Sequence, residues 1–452
     1  MQCPPDKISQ PEKQAIDWFH LSKLEMEIQI ISRGTIKPSS PTPHHLRTHK
    51  LSLLDQLVPP VNIPVLLFYS AAAENPRKSS LQLKESLSKT LVHFYTFAGQ
   101  LSESFSIDCN DNGATYIEAQ VAIDMSVVLK EPEIDLLLQL LPCDPHENLP
   151  EPSAQVLLAI QVNYFACGGM AICVCVHHAV ADASAVATFL QSWAAVACGA
   201  NLTETVTFDC TSLFPPQDLP GFWEVLEENK DLIIREDVVT TRFLFDSSKI
   251  DVLRDEIGNG SSLHRPTRVE AVSALICNAI VASIAENDKT IPIYVATSVN
   301  LRKRMDFPFP QNCVSNVSQF IMTELPMEKT KNLTNLAGNL HDSITKVDDE
   351  YVRKLHAGGA YLNIMKGAVK GFGKNWIFSF SSWCRFPFYE TDFGWGKPIW
   401  FGTTLRLNRV AFFLDTNDGG GIEAWITLTQ EEMVKLEQEP SILDYATFKP
   451  ST

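Results

Sequence analysis

Polar and apolar residues alternate along positions 26–39, MEIQIISRGTIKPS, which predicts a strand open to solvent on one side. The stretch SSPTP, from Ser39 to Pro43, ends it. Leucines at 81, 83, 87 and 91 fall near helical spacing with lysines on the other side, so residues 80–95 predict an amphipathic helix. Residues 104–121 alternate again around Asn110-Asp111-Asn112-Gly113, and read as a hairpin. Residues 155–176 are apolar and as long as a membrane span. Gln161 and Asn163 interrupt them, and Cys167-Gly168-Gly169 reads as a turn, so we expect two buried strands instead. The alanine-rich run 182–199 predicts a buried helix, capped by Asp182 or Ser184 and stopped at Gly199.

The pattern lapses over residues 200–225, where Pro215, Pro216 and Pro220 stand with little periodicity, and then resumes. VVTTRFLF and IPIYVATSVNLRKRM read as strands, 268–285 as a strongly apolar helix, and RVAFFLD with GGIEAWITLT as two strands joined through Asn417–Gly421. Strands and helices thus recur in both halves, an α/β arrangement. The expected division is a loose extension over 1–25, one domain over 26–205, a crossover linker over 206–225 and a second domain over 226–452.

Composition narrows the partners. The 452 residues are 45% hydrophobic and carry a formal net charge of −16. So acidic a chain repels phosphate backbones, which makes nucleic acid an unfavourable partner. The eleven cysteines include no CxxC pair, and the first 25 residues lack an apolar signal core. We therefore expect free thiols, no metal site, no membrane anchor and a cytoplasmic protein.

Candidate chemistry sits between the apolar strand and the alanine-rich helix. His177 and His178 follow that strand, and Asp182 lies four residues past the second. A lone core histidine is ordinarily a satisfied packing residue, and a second HH at 44–45 has no evident role. A strand-to-helix turn, however, projects side chains into clefts at sheet ends. A neutral imidazole there suits general-base work. The sequence holds no GxSxG nucleophile elbow, so attack by a substrate hydroxyl or amine fits better than a protein nucleophile. The second unusual string is DFGWG, from Asp392 to Gly396. No kinase lysine or HRD loop accompanies it, so a kinase reading fails.

HxxxD followed by DFGWG resembles the plant BAHD acyltransferase family. SSPTP, LSLLDQ at 51–56, HFYTFAGQL at 93–101, FACGG at 165–169 and VNLRKRM at 299–305 match it too. SSWCRFPFYETDFGWGKP is most similar to the branch acylating monoterpenoid indole alkaloids, that of vinorine synthase and deacetylvindoline acetyltransferase. The resemblance implies two similar chloramphenicol acetyltransferase-like domains with mixed sheets flanked by helices, joined by a crossover around a channel. It implies acyl-CoA entering from one mouth and an alcohol from the other, with His178 between them as the base. Acyl-CoA is a co-substrate; no cofactor is held permanently, and a monomer is expected. Asp182 and Arg302 are implied to form a structural pair, and Asp392, Gly394 and Gly396 a structural turn. Ala183 stands where many members have glycine, and Ser315-Asn316 where they have Gly-Asn, with Asn316 implied near coenzyme A. Arg406 is implied near the acyl pocket, where it would favour malonyl-CoA over the branch's usual acetyl-CoA. The alternatives to acetyl transfer onto an alkaloid alcohol are malonyl transfer, N-acylation of an amine, and a catalytically silent binding protein.

Overall fold

The computed structural model describes residues 26–449 except 72–75, 103–104, 147–155, 203–205, 209, 220–221, 223–234, 236, 259–264, 286–290, 307–311, 326–331 and 372–374. The expected extension over 1–25 lies outside the described residues, as does part of the expected linker.

Two mixed sheets organise the chain. The first is built from β1 (Ile28–Ile36), β2 (Asn62–Tyr69), β3 (Ala114–Val121), β4 (Leu158–Phe165), β5 (Met170–His177) and, from the other half of the sequence, β10 (Trp400–Gly402). Its order is β1-β3-β4-β5-β2-β10. The second contains β6 (Val238–Phe245), β7 (Ile293–Asn300), β8 (Ser318–Leu325), β9 (Trp376–Ser382), β11 (Val410–Asp415), β12 (Ile422–Thr429) and β13 (Thr447–Phe448), in the order β8-β7-β9-β11-β12-β6-β13.

Leu158–Phe165 and Met170–His177 of the apolar stretch form the β4–β5 hairpin, and β5 and its neighbour β2 are buried along their whole length. Burial on both faces explains why β5 reads as a continuous apolar run rather than an alternation. No helix among the described residues is long and apolar enough to cross a membrane. The expected hairpin over 104–121 does not form. Ser106–Asp108 joins a small three-stranded sheet with Thr48–Lys50 and Gln100–Ser102, whereas β3 pairs with β1 and β4. The alternation was real on both sides of the turn. Asp111 (φ 59) and Gly113 (φ 93) redirect the chain between sheets, a change of partner that local pattern does not encode.

Five helices bear on the site: α1 (Leu53–Gln56), α2 (Pro76–His93), α3 (Ala183–Ala197), α4 (Arg268–Ala285) and α5 (Ala360–Gly371). Leu83, Leu87 and Leu91 of α2 are fully buried, while Leu81 points to solvent. The indole of Trp193 on α3 donates to Leu83 O and Ser86 Oγ, locking α3 against α2. α4 is buried in the core of the second half, with Ala271, Leu275 and Ala279 fully enclosed.

Among the contacts that tie the halves together, two are apolar or sheet-built. β10 leaves the second half to pair antiparallel with β2, while its Trp400 indole donates back to Glu423 on β12. A separate apolar cluster joins Leu53, Leu54 and Leu57, in and just after α1, to Val299, Leu301, Phe214, Phe222 and Tyr361. Burying each such leucine contributes about 2 kcal/mol. Cys210, Phe214 and Phe222 belong to this cluster, so these side chains of the proline-bearing stretch are packed into the protein, while Pro215 and Pro216 are exposed.

Candidate active site

β5 delivers the histidine pair to the seam. A one-turn helix over His178–Val180 follows the strand, and α3 begins at Ala183. Strand alternation sends the two imidazoles to opposite environments. His177 turns inward, 3% exposed, and its Nδ1 accepts from Ala179 N at 3.3 Å. Burial, aided by His178, depresses its pKa to about 4. His178 lines a cavity of about 280 Å³ between the halves. Its N–H donates to Val61 O at 2.8 Å, and its carbonyl accepts from Asn316 Nδ2 at 2.8 Å. Burial also holds its imidazole below the ordinary histidine pKa, so the ring is neutral near pH 7.

Asp182 caps α3, accepting from Ala185 N at 2.9 Å. Its oxygens also take Arg302 Nη1 at 2.8 Å, Arg302 Nη2 at 3.0 Å and Val317 N at 3.0 Å. Arg302, just past β7, also donates from Nε and Nη2 to the Cys313 carbonyl and from Nη2 to the Ser315 carbonyl. Both residues are buried. The pair is fully committed, and no hydrogen bond joins Asp182 to the His178 ring among the described residues. The turn at 392–396 stands apart. Asp392 Oδ1 accepts from Gly394 N at 2.8 Å and Gly396 N at 2.9 Å, and both glycines take positive φ, 104° and 110°. Gln82 and Cys198 bond to its backbone carbonyls, and none of its residues lines the cavity.

Arg406 also lies off the cavity, although its neighbours Leu405 and Leu407 line it. Its N–H donates to His146 Nε2 at 3.3 Å. Asn316, expected beside coenzyme A, is 1% exposed and spends its amide on Asp55 and the His178 carbonyl.

The sequence reading missed two features. Asp55 is a buried carboxylate that reaches the residues behind His178; the Ser52-x-x-Asp55 capping box inside LSLLDQ was its only local signal. The other is a set of hydroxyls on the cavity face of the second sheet: Ser298 of β7, Ser318 of β8, and Ser379 and Ser381 of β9. They alternate with core residues such as Val295, Phe378 and Phe380. The remaining wall is largely apolar, including Phe320, Met322, Met365, Trp383 and Phe412.

Comparison with known proteins places this geometry. The Transferase family model matches residues 26–443. The chain is a BAHD acyltransferase. Epi-neemfruitin B synthase of Melia azedarach is 45% identical to it over 436 residues, covering 94% of this chain and 100% of that protein. The limonoid 1-O-acetyltransferase of Citrus sinensis is 44% identical, with the same coverage. Vinorine synthase of Rauvolfia serpentina is 35% identical, covering 91% and 97%. The crystal structure of vinorine synthase superposes with a TM-score of 0.78 at 34% identity, over 90% of this chain and 96% of that one. F. sporotrichioides TRI101, complexed with coenzyme A and T-2, shares the fold with a TM-score of 0.73 at 18% identity, over 89% and 99%. The BAHD assignment accounts for the two mixed sheets and for HxxxD at their seam.

Proposed function

We propose that this BAHD enzyme transfers an acetyl group from acetyl-CoA to a hydroxyl of an apolar polycyclic plant metabolite, with His178 as general base. The observation that carries the reading is the lining of the cavity. Of its described residues only His178, Asp182 and Tyr361 ionise, and Asp182 is bound to Arg302. Burial raises the Tyr361 pKa, and its oxygen accepts from Phe320 N. His178 is left as the group able to take a proton near neutral pH.

In this reading His178 takes the hydroxyl proton as the oxygen attacks the thioester carbonyl. The tetrahedral oxyanion collapses, the C–S bond breaks, and the coenzyme A thiolate leaves and takes the proton from the imidazolium. Holding both substrates in one cavity replaces a two-body encounter with a local one.

The same lining bears on both substrates. It contains no described lysine or arginine, which favours acetyl over malonyl. A protonated alkaloid amine would meet no free carboxylate there, whereas a neutral terpenoid alcohol requires none. The serine hydroxyls suit the ether, carbonyl and ester oxygens of such a skeleton. Limonoid O-acetyltransferases at 42–44% identity point the same way. An alkaloid alcohol is the second reading, favoured by stemmadenine O-acetyltransferase at 37% identity. The test is thiol release from acetyl-CoA and malonyl-CoA with limonoid and alkaloid alcohols, with products identified by mass. Acetylation of a limonoid-type alcohol supports the first reading. Transfer only to alkaloids supports the second, and no thiol release with any acceptor overturns both.

A further inference from the structure

We propose that Asp55 is a positioning residue for the acyl-transfer base: it holds the Asn316 amide, and that amide holds His178 with Nε2 turned to the cavity. The inference rests on His178 acting as that base. It concerns a residue 123 positions earlier in the chain.

Asp55 is 3% exposed. Its carboxylate accepts from Ser52 N at 2.9 Å and Ser52 Oγ at 2.6 Å, which is all that capping the short helix α1 requires. Three more donors come from the other half of the molecule: Ser315 Oγ at 2.9 Å, Asn316 N at 2.8 Å and Asn316 Nδ2 at 2.9 Å. All of these donors are neutral. Burying a carboxylate among neutral groups is unfavourable unless every lone pair is used, and here five bonds are aimed at it.

The geometry of the amide shows what this arrangement fixes. Asn316 Nδ2 has two protons; one goes to Asp55 Oδ1 and the other to the His178 carbonyl oxygen at 2.8 Å. Both partners are acceptors only, so a turned amide would set oxygen against oxygen twice. Asp55 thereby fixes which way the amide faces. Two buried atoms beside this contact lack partners: Asn316 Oδ1 and His178 Nδ1. Nδ1 is therefore the enclosed ring nitrogen, and Nε2 is the one left toward the cavity that His178 lines. Against burial, the His178 pKa is raised first by its own backbone, then by Asp182, the Asn316 side chain and the Ala181 backbone, which together favour a proton on the enclosed nitrogen. With the proton on Nδ1, the Nε2 lone pair is the one presented to substrate.

Three variants test the relay: Asp55→Asn, Asn316→Ala and the double variant. Each single change is expected to lower kcat at least tenfold, to leave the KM for acetyl-CoA within about threefold, and to move the acid limb of the pH–rate profile to lower pH. The double variant is expected to be no slower than Asn316→Ala, because Asp55 acts through Asn316. Effects that multiply, or single variants with wild-type rate and pH profile, overturn the proposal. Asn316→Ala leaves the Ser52–Asp55 cap intact and carries the kinetic test should Asp55→Asn not fold. A second readout does not depend on turnover, so it separates failure of the relay from failure of the acyltransfer reading. In protein labelled with 15N-histidine, the wild-type His178 ring is expected in the Nδ1–H form, with mixed tautomers in Asn316→Ala. An Nε2–H ring in the wild type overturns the proposal.

Discussion

Asp182 gives both carboxylate oxygens to Arg302, at 2.8 and 3.0 Å, and neither to the His178 ring four residues before it. The bond crosses from the first residue before α3 to the turn after β7, so it fastens one half of the protein to the other. An HxxxD motif invites a triad reading, in which the carboxylate orients the base. Here the carboxylate is instead bonded to Arg302 across the two halves.

Breaking that pair leaves a buried guanidinium without its counter-charge. Asp182→Asn is expected to cost about 3–5 kcal/mol, and to lower Tm by roughly 5–10 °C. Calorimetry on the variant checks this. A catalytic triad would instead give a large fall in kcat at unchanged Tm.

Acid should destabilise the protein through the histidine pair. His177 has a folded pKa of about 4 against 6.5 for the free side chain, lowered by burial and, to a lesser degree, by His178. Below pH 6.5 the unfolded chain binds the proton that the folded chain refuses. Stability is therefore retained above pH 6.5 and lost as pH falls toward 4, by about 3 kcal/mol from this residue. Denaturant titrations at pH 7, 5.5 and 4.5 read it directly. His177→Asn should flatten the dependence.

The 392–396 turn is expected to matter for stability and not for chemistry. Asp392→Ala removes the acceptor for two amides, and Gly396→Ala places a Cβ at φ 110. Each should cost about 1–3 kcal/mol. In the folded fraction, kcat should stay within about twofold of wild type, because the turn does not line the cavity. A hundredfold loss of kcat at unchanged Tm would place the turn in the chemistry.

Arg406→Ala separates the two donors. With the side chain off the cavity, the KM for acetyl-CoA is expected to change less than about twofold, and malonyl-CoA should be a poor donor in both proteins. Good malonyl transfer that disappears in the variant would assign Arg406 to the acyl pocket.

Much of this was legible in the chain. The β4–β5 hairpin followed from a long apolar run broken by two glycines and two amides, and α3 from its alanines and the Asp182 cap. Those signals are local. The failures were non-local. Asn110–Gly113 looked like a hairpin turn, but which sheet each flanking strand joins depends on distant partners, such as Thr48 for Asp108 and Ala159 for Thr115. β10 is three residues long and joins a sheet formed by the opposite half, with nothing in WFG to announce it. Asp55 was visible as a helix cap, while its grip on Asn316 spans 261 positions. The cavity serines sit on strands whose alternation was clear, yet alternation alone does not say which face is wet.

The most direct measurement is acyl transfer by His178→Ala alongside the wild type, with thiol release and Tm recorded on the same preparations. Loss of at least a hundredfold in kcat with Tm within a few degrees is expected of a general base in a preformed cavity. Transfer by the variant at the wild-type rate would contradict it.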